Sequence, residues 1–229
     1  MALLLNLDTA TEVASISVSV DGVSKAFKQN EQQKEHASFV HFAIKELINE
    51  GGFNLGDVDA FSVTSGPGSY TGLRVGMATV KGFCYAFSKP LITVNTLEVM
   101  AKAAIDTLDY KDEKLLLCPM IDARRMEVFT AIYDADLKNV VQPQSLILNE
   151  TTFHDILAKQ KIIFFGSGSG KFEEINLTAN ANFKNIVSNA RNLGSLAESY
   201  FNRKCFSDVT YSQPNYFKDF YSPIKSLNG

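Results

Sequence analysis

An α/β fold with two similar halves is the architecture that this sequence predicts, and three observations lead to it. Apolar and polar residues alternate along Ala14–Val20, which is typical of a half-buried strand. Strand patterns then alternate with helical patterns, an order that favours sheets with some parallel pairing. A second, similar series of strands and helices follows the first. We therefore predict two domains, residues 1–100 and 101–229, each a mixed sheet with flanking helices.

The first half opens with three predicted strands. An apolar run at residues 3–7 and the alternating segment at 14–20 precede Asp21-Gly22, a dipeptide that accepts the positive φ values of a tight hairpin turn. The third strand covers residues 23–27. The later elements, in chain order, are a helix at 34–50 ending at Gly51-Gly52, a strand at 58–65, a helix at 71–87, a strand at 91–94 and a helix from Thr96 to about residue 108.

The second half shows the same kinds of pattern with shorter helices. Glycine and serine follow its third strand in a loop at Gly166–Gly170. The predicted elements are strands at 115–121, 127–133 and 161–165 and helices at 152–160 and 192–203.

Composition excludes several classes of protein. The chain has 229 residues, of which 45% are hydrophobic and 21% charged, so it is too apolar for disorder and can bury a sizeable core. A net charge of −3 without a basic block argues against a chain that grips nucleic acid alone. No apolar run is long enough for a membrane span. Three widely spaced cysteines favour reduced thiols and a cytoplasmic location.

The loop at Gly166–Gly170 suggests a phosphate-binding P-loop, but its residues do not match the P-loop pattern. A P-loop needs glycine five places before its Gly-Lys pair and Ser or Thr after the lysine. Phe165 and Phe172 occupy those two positions around Lys171. We therefore interpret this segment as a turn between a strand and a helix.

The turn after the first strand, Asp8-Thr9-Ala10-Thr11, leaves two interpretations open. In sugar kinases, actins and Hsp70 chaperones, an acidic residue at this place precedes small hydroxyl and glycine residues that hold phosphate and magnesium. Ala10 replaces the usual glycine, and its methyl group restricts close approach of the backbone. Asp8 and Thr9 therefore form either a vestigial nucleotide loop or a turn held by side-chain hydrogen bonds.

The histidines do not suggest a metal centre or a catalytic group. His36 and His41 are five residues apart, which places them about 140° out of phase on a helix. His154 lies in the other half, and no spacing supports a Ser-His-Asp or Cys-His arrangement. We expect no catalytic residue, no metal ligand and no cofactor.

The helix at 71–87 is apolar on nearly every side, with charge only at Arg74 and Lys81. Such a helix is buried on more than one face. Either the protein's own second domain or tail covers it, or another chain packs on it. For the second case, the candidate contact residues on this helix and on the helix before it are Phe39, Phe42, Val75, Ala78, Gly82, Tyr85 and Ala86.

The loop and helix start at residues 66–76 resemble the hallmark of the TsaB (YeaZ) family. Weaker similarities lie at Asp8–Thr11, His36-Ala37, Ile121–Arg125 and Pro214–Tyr216, so that the resemblance covers nearly the whole chain. The residues that carry the hallmark are Gly66, Pro67, Gly68, Ser69, Thr71, Gly72 and Arg74.

This resemblance implies a fold and a role. It implies a two-domain actin/Hsp70/sugar-kinase-like (ASKHA) fold and a non-catalytic subunit in tRNA threonylcarbamoyladenosine (t6A) synthesis for ANN-decoding tRNAs. Members pair with the transferase TsaD, or with themselves, through a bundle of their first two helices, and work with the ATPase TsaE. Contact with tRNA would be indirect. The alternatives are an ATP-using phosphotransferase of the same fold class and, with less support, a metalloprotease.

Overall fold

The computed structural model describes residues 1–30, 36–108, 115–176 and 178–217, and they form two five-stranded sheets with flanking helices. In the first sheet the order is β3-β2-β1-β4-β5. The strand β1 pairs antiparallel with β2 and parallel with β4. The strands are β1 (Leu3–Asp8), β2 (Ala14–Val20), β3 (Val23–Asn30), β4 (Ala60–Thr64) and β5 (Leu91–Val94).

Two long helices cover one face of this sheet. Helix α1 (His36–Gly51) and helix α2 (Tyr70–Phe87) turn their apolar stripes inward. Val40, Leu47 and Val80 are fully or almost fully buried there, because residues three and four apart share one helix face. A short 3-10 helix, Leu55–Asp57, connects α1 to β4.

The second sheet repeats this topology. Its order is β10-β9-β6-β7-β8, so that β6 to β10 take the places of β1 to β5. Phe164 and Phe172 pack at 4.9 Å between ring centroids in its outer core. The elements are β6 (Leu116–Asp122), β7 (Glu127–Tyr133), β8 (Asn139–Ile147), α4 (His154–Leu157), β9 (Ile162–Phe165), α5 (Ser169–Ile175) and β10 (Ala181–Phe183).

The last helix of each half packs against the sheet of the other half. Helix α3 (Thr96–Thr107) buries Leu97 and Ala101 with residues of β6 and β9. Helix α6 (Ala190–Asn202) packs on β1 and β2, where the Ser17 hydroxyl donates to the Ala190 carbonyl at 2.7 Å. The domain boundary at residue 100 therefore falls inside α3, and it stays a prediction.

The predicted α/β architecture is confirmed, and most elements begin and end within a few residues of the expected positions. The strand β8 was not predicted, since Pro143 interrupts its pattern; as an edge strand it tolerates a residue without an N–H. The predicted helix at 152–160 shrinks to α4, α5 is the helix expected after the turn at Gly166–Gly170, and β10 has no counterpart among the predicted elements. Lys34 and Glu35 lie outside the described residues.

Within the described residues no helix is both long and apolar enough to cross a membrane.

Candidate functional site

We call residues 66–72 the hallmark loop, and this segment packs tightly on the turn that follows β1. The Ser69 N–H donates to the Ala10 carbonyl at 2.7 Å, and the Thr9 hydroxyl donates to the Gly72 carbonyl at 2.7 Å. A Cβ atom at Gly68 would collide with the carbonyl oxygen of Ala10, and one at Gly72 with that of Thr9. The glycines are therefore needed because two stretches of backbone touch, and the loop joins the start of α2 to the end of β1.

Asp8 lies beneath this contact and is fully buried. Its Oδ1 accepts hydrogen bonds from the Ala10 N–H at 3.1 Å and the Thr64 hydroxyl at 2.9 Å, while Oδ2 has no hydrogen-bond partner. Burial raises the pKa of Asp8 to about 6, because removal from water disfavours the charged form. The two hydrogen bonds oppose this shift without cancelling it.

A cleft of about 580 Å³ separates the two halves. Its charged lining residues are Glu12 from the first half and Asp122 from the second, both acidic. Asp8 and Thr9 do not line it. The remaining walls come from the hallmark loop, α3, the end of β6, the loop after β9 and the segment before α6, and they include Ala10, Thr11, Val13, Gly68, Ser69, Met100, Ile121, Gly166, Ser167, Asn185, Ile186, Val187 and Ser188.

Asp122 ends β6 at the position that Asp8 holds in β1. Its Oδ1 accepts from the Lys171 ammonium at 2.7 Å and from the Arg124 N–H at 2.6 Å. The hydrogen bond from Lys171 lowers the pKa of Asp122, so this carboxylate is held in its charged form. Lys171, the lysine of the rejected P-loop, thus binds a carboxylate of its own chain, and Gly166–Gly170 leads from β9 into α5 as interpreted.

The outer face of α2 places the predicted contact residues at the surface. Ala78, Gly82 and Ala86 are exposed, and no atom lies within 4 Å of a Cβ built at Gly82. Tyr85 is 86% exposed and Phe42 of α1 is 63% exposed. Phe39 and Val75 are half-buried at the margin of the first-half core. We call the residues of this surface the helix face: Phe39, Phe42, Val75, Ala78, Gly82, Tyr85 and Ala86.

A segment of the chain itself lies on another side of α2. The Lys81 ammonium donates to the carbonyls of Thr210 and Ser212, and the Arg74 guanidinium donates to the Tyr216 hydroxyl at 3.1 Å. Both charges of α2 are thereby used within the chain. A tail therefore contacts the charged side of α2, as one of the two sequence interpretations expects, and the small residues stay exposed. Packing of another chain on them stays a prediction.

Sequence reasoning missed the pairing of Asp122 with Lys171 and that of Arg74 with Tyr216. Arg74 and Tyr216 are 142 positions apart, and no spacing rule connects them. The Pro214–Tyr216 similarity was the available signal for this contact. Among the described residues no group of three or more His, Cys, Asp and Glu side chains could hold a metal ion, and His41 is exposed.

The duplicated sheet topology, the exchanged helices and the cleft between the halves define a fold of the sugar-kinase and actin type. Two solved structures support this fold. An uncharacterized Pseudomonas aeruginosa protein with similarity to peptidase YeaZ has a TM-score of 0.82 at 24% identity, covering 95% of this chain and all of that one. The polyphosphate/ATP-glucomannokinase of an Arthrobacter strain has a TM-score of 0.51 at 12% identity, covering 88% of this chain and all of the kinase.

Sequence comparison identifies the family. A family model described as TsaD, tRNA N6-adenosine threonylcarbamoyltransferase, matches residues 28–192. The Escherichia coli K12 protein named tRNA threonylcarbamoyladenosine biosynthesis protein TsaB is 32% identical over 133 residues, covering 58% of this chain and 55% of that protein. The match spans little more than half the length of this relative. The chain belongs to the TsaD family, and it is similar to relatives named TsaB over little more than half of their length.

Proposed function

We propose that this chain is a non-catalytic subunit that binds the transferase TsaD and supports t6A modification of ANN-decoding tRNAs. The observation that carries the proposal is the helix face, on which the apolar residues Phe42, Ala78, Tyr85 and Ala86 are exposed. The TsaE ATPase would join through the resulting complex. Relatives named as t6A biosynthesis proteins support the pathway.

The chemistry of the helix face fits a helix from another protein. Ala78, Gly82 and Ala86 are four residues apart, so they form one smooth strip along which a second helix can approach closely. Tyr85 of the same helix and Phe42 of α1 are large exposed rings, the kind of side chain that dominates the energy of interfaces. The same strip is self-complementary, and we expect the isolated chain to pair with a second copy.

The buried turn supports the non-catalytic part of the proposal. The Thr9 hydroxyl is committed to Gly72, and Asp8 is enclosed below the loop. Among the described residues no basic side chain lines the cleft to attract the phosphates of a nucleotide. We expect calorimetry of the isolated chain with ATP and magnesium to show no tight binding. Tight binding would favour the phosphotransferase alternative.

Gly82→Arg tests the helix face directly. Since the space beyond Gly82 is open, the substitution leaves the monomer fold cooperative and places a long cation in the middle of the strip. We expect co-purification with TsaD to be lost. Gly170→Arg is the matched control, because Gly170 is also exposed with open space but lies in the second half. Normal complex formation by Gly82→Arg would refute the interface.

A further inference from the structure

Residues 207–217 form a strap that runs from the edge of the first sheet across α2. At its start the Ser207 N–H donates to the Leu91 carbonyl at 2.8 Å, so the strap adds a bridge to the outer side of β5. The hydroxyls of Ser207 and Thr93 are 2.8 Å apart. Val209 packs against the first-half core. The start of the strap is therefore fixed to the sheet.

The middle of the strap binds the ammonium group of Lys81 on α2. Lys81 Nζ donates to the Thr210 carbonyl at 3.1 Å and to the Ser212 carbonyl at 2.9 Å. Carbonyl oxygens replace part of the water that would otherwise hydrate this cation. Lys81 directly precedes Gly82, so the strap accepts hydrogen bonds from a charged side chain at the border of the helix face.

The end of the strap closes on the hallmark loop. The Asn215 N–H donates to the Ser65 carbonyl at 2.6 Å. Gly66 has a φ of 109°, and a Cβ at this residue would lie 2.6 Å from the Asn215 carbonyl oxygen. This position therefore requires glycine for two reasons, a backbone conformation that other residues rarely adopt and the close approach of the strap.

Aromatic rings complete the closure. The Tyr216 ring lies 5.2 Å from that of Tyr70, and the Arg74 guanidinium is 4.1 Å from the centroid of the Tyr70 ring. Phe217 then contacts Phe129 of β7 at 6.0 Å between centroids. The strap thus contacts both halves of the molecule and both charged residues of α2.

We propose that the strap is a clasp whose closure is coupled to docking on the helix face. A closed clasp gives the cations of Arg74 and Lys81 hydrogen-bond partners within the chain, so that a partner helix does not need to supply any. It also fixes the loop from which α2 begins. By linkage, docking must then stabilise the closed clasp by the same factor. The coupling to a partner rests on the proposed function, whereas closure is a property of the free chain.

The test uses Tyr216→Ala in the full chain, with Tyr211→Ala as the matched control. Tyr216 supplies a hydroxyl to Arg74 and a ring to Tyr70, whereas Tyr211 is on the same strap and 82% exposed. Hydrogen exchange of the free chain reports closure through the Asn215 amide and the first turn of α2. We expect exchange there to accelerate roughly fivefold or more in Tyr216→Ala and to stay unchanged in Tyr211→Ala.

Affinity for TsaD is then measured for the same two variants. We expect Tyr216→Ala to weaken binding by a similar factor, although this residue is not part of the helix face. Unchanged exchange at Asn215 in Tyr216→Ala would overturn the clasp, whether or not TsaD binds the wild-type chain. Faster exchange with unaltered TsaD affinity would overturn the coupling. Asn215→Pro, which removes the N–H donated to Ser65, gives a second variant, in which exchange in the first turn of α2 must accelerate and TsaD binding must weaken as in Tyr216→Ala.

Discussion

The two halves of the molecule repeat one strand topology, and they differ most in the helices that cover their sheets. Helices α1 and α2 of the first half have 16 and 18 residues, whereas α4 and α5, at the same places in the second half, have 4 and 7. In the second half, phenylalanine rings fill the outer core beneath short helices. A surface long enough to dock a partner helix is therefore found on the first half.

The two strand ends at the centre of the sheets show a second difference. Asp8 and Asp122 each accept a hydrogen bond from the backbone N–H two residues ahead, so the local turn is the same. The hallmark loop closes over Asp8 and removes it from water, whereas Asp122 stays accessible and binds Lys171. The pKa of Asp8 is raised because burial outweighs its hydrogen bonds, whereas the pKa of Asp122 is lowered, mainly by the hydrogen bond from Lys171.

Gly72→Ala is expected to have the largest effect, because it breaks the closure that distinguishes the first half. Its Cβ would collide with the carbonyl oxygen of Thr9, and backbone cannot move aside as a flexible side chain can. We expect the free energy of unfolding to fall by about 3 kcal/mol. Urea denaturation measures this change, and Gly170→Ala is the control.

Gly170 has open space around its Cβ position, so the same substitution in α5 should be neutral or slightly stabilising, by up to about 1 kcal/mol. Equal stabilities of Gly72→Ala and Gly170→Ala would show that the contact between the hallmark loop and the Thr9 turn is not tight.

The sequence predicted the architecture well because its evidence is local. Alternation in β2 and the Asp21-Gly22 turn depend on neighbouring residues, and both appear where expected. The burial of the Asp8 side chain could not be predicted in the same way. It follows from contacts such as that between Thr9 and Gly72, which are 63 positions apart. The family resemblance indicated which glycines matter, and the structure supplies the physical reason.

The small elements of the second half were harder to predict for a similar reason. A strand of three residues such as Ala181–Phe183 is too short for a periodic pattern, and its place is fixed by pairing with β9. The exposed strip on α2 could be read from spacing alone. The hydrogen bonds of the charged residues beside that strip could not, since the strap that contacts Arg74 and Lys81 comes from more than a hundred positions further along the chain.

Asp8→Asn tests the difference between the two carboxyl groups through pH. Because the folded-state pKa of Asp8, about 6, is above the unfolded value near 3.8, the folded state binds this proton more tightly. The contribution to stability is complete below about pH 4 and is lost as pH rises through 6. Between pH 4 and pH 8 the wild-type chain should lose about 3 kcal/mol more than Asp8→Asn.

The exposed Asp57→Asn is the control for loss of a surface carboxylate. Parallel stability curves for the wild type and Asp8→Asn would contradict the raised pKa of Asp8.

Lys171→Met tests the second carboxyl group, and its expected effect on stability is the smallest. The contribution of Asp122 to stability is lost as pH falls, whereas that of Asp8 is lost as pH rises. The folded-state pKa of Asp122 is lowered, so its ion pair stabilises the chain at neutral pH and this contribution disappears as pH falls through that pKa. Asp122 is 45% exposed, and we expect a loss of less than about 1 kcal/mol in urea denaturation at neutral pH. The exposed Lys159→Met should show none. If the difference between the wild type and Lys171→Met grew on acidification, Asp122 would behave like Asp8. The two carboxyl groups, buried in the first half and accessible in the second, would then not differ in how their pKa values affect stability.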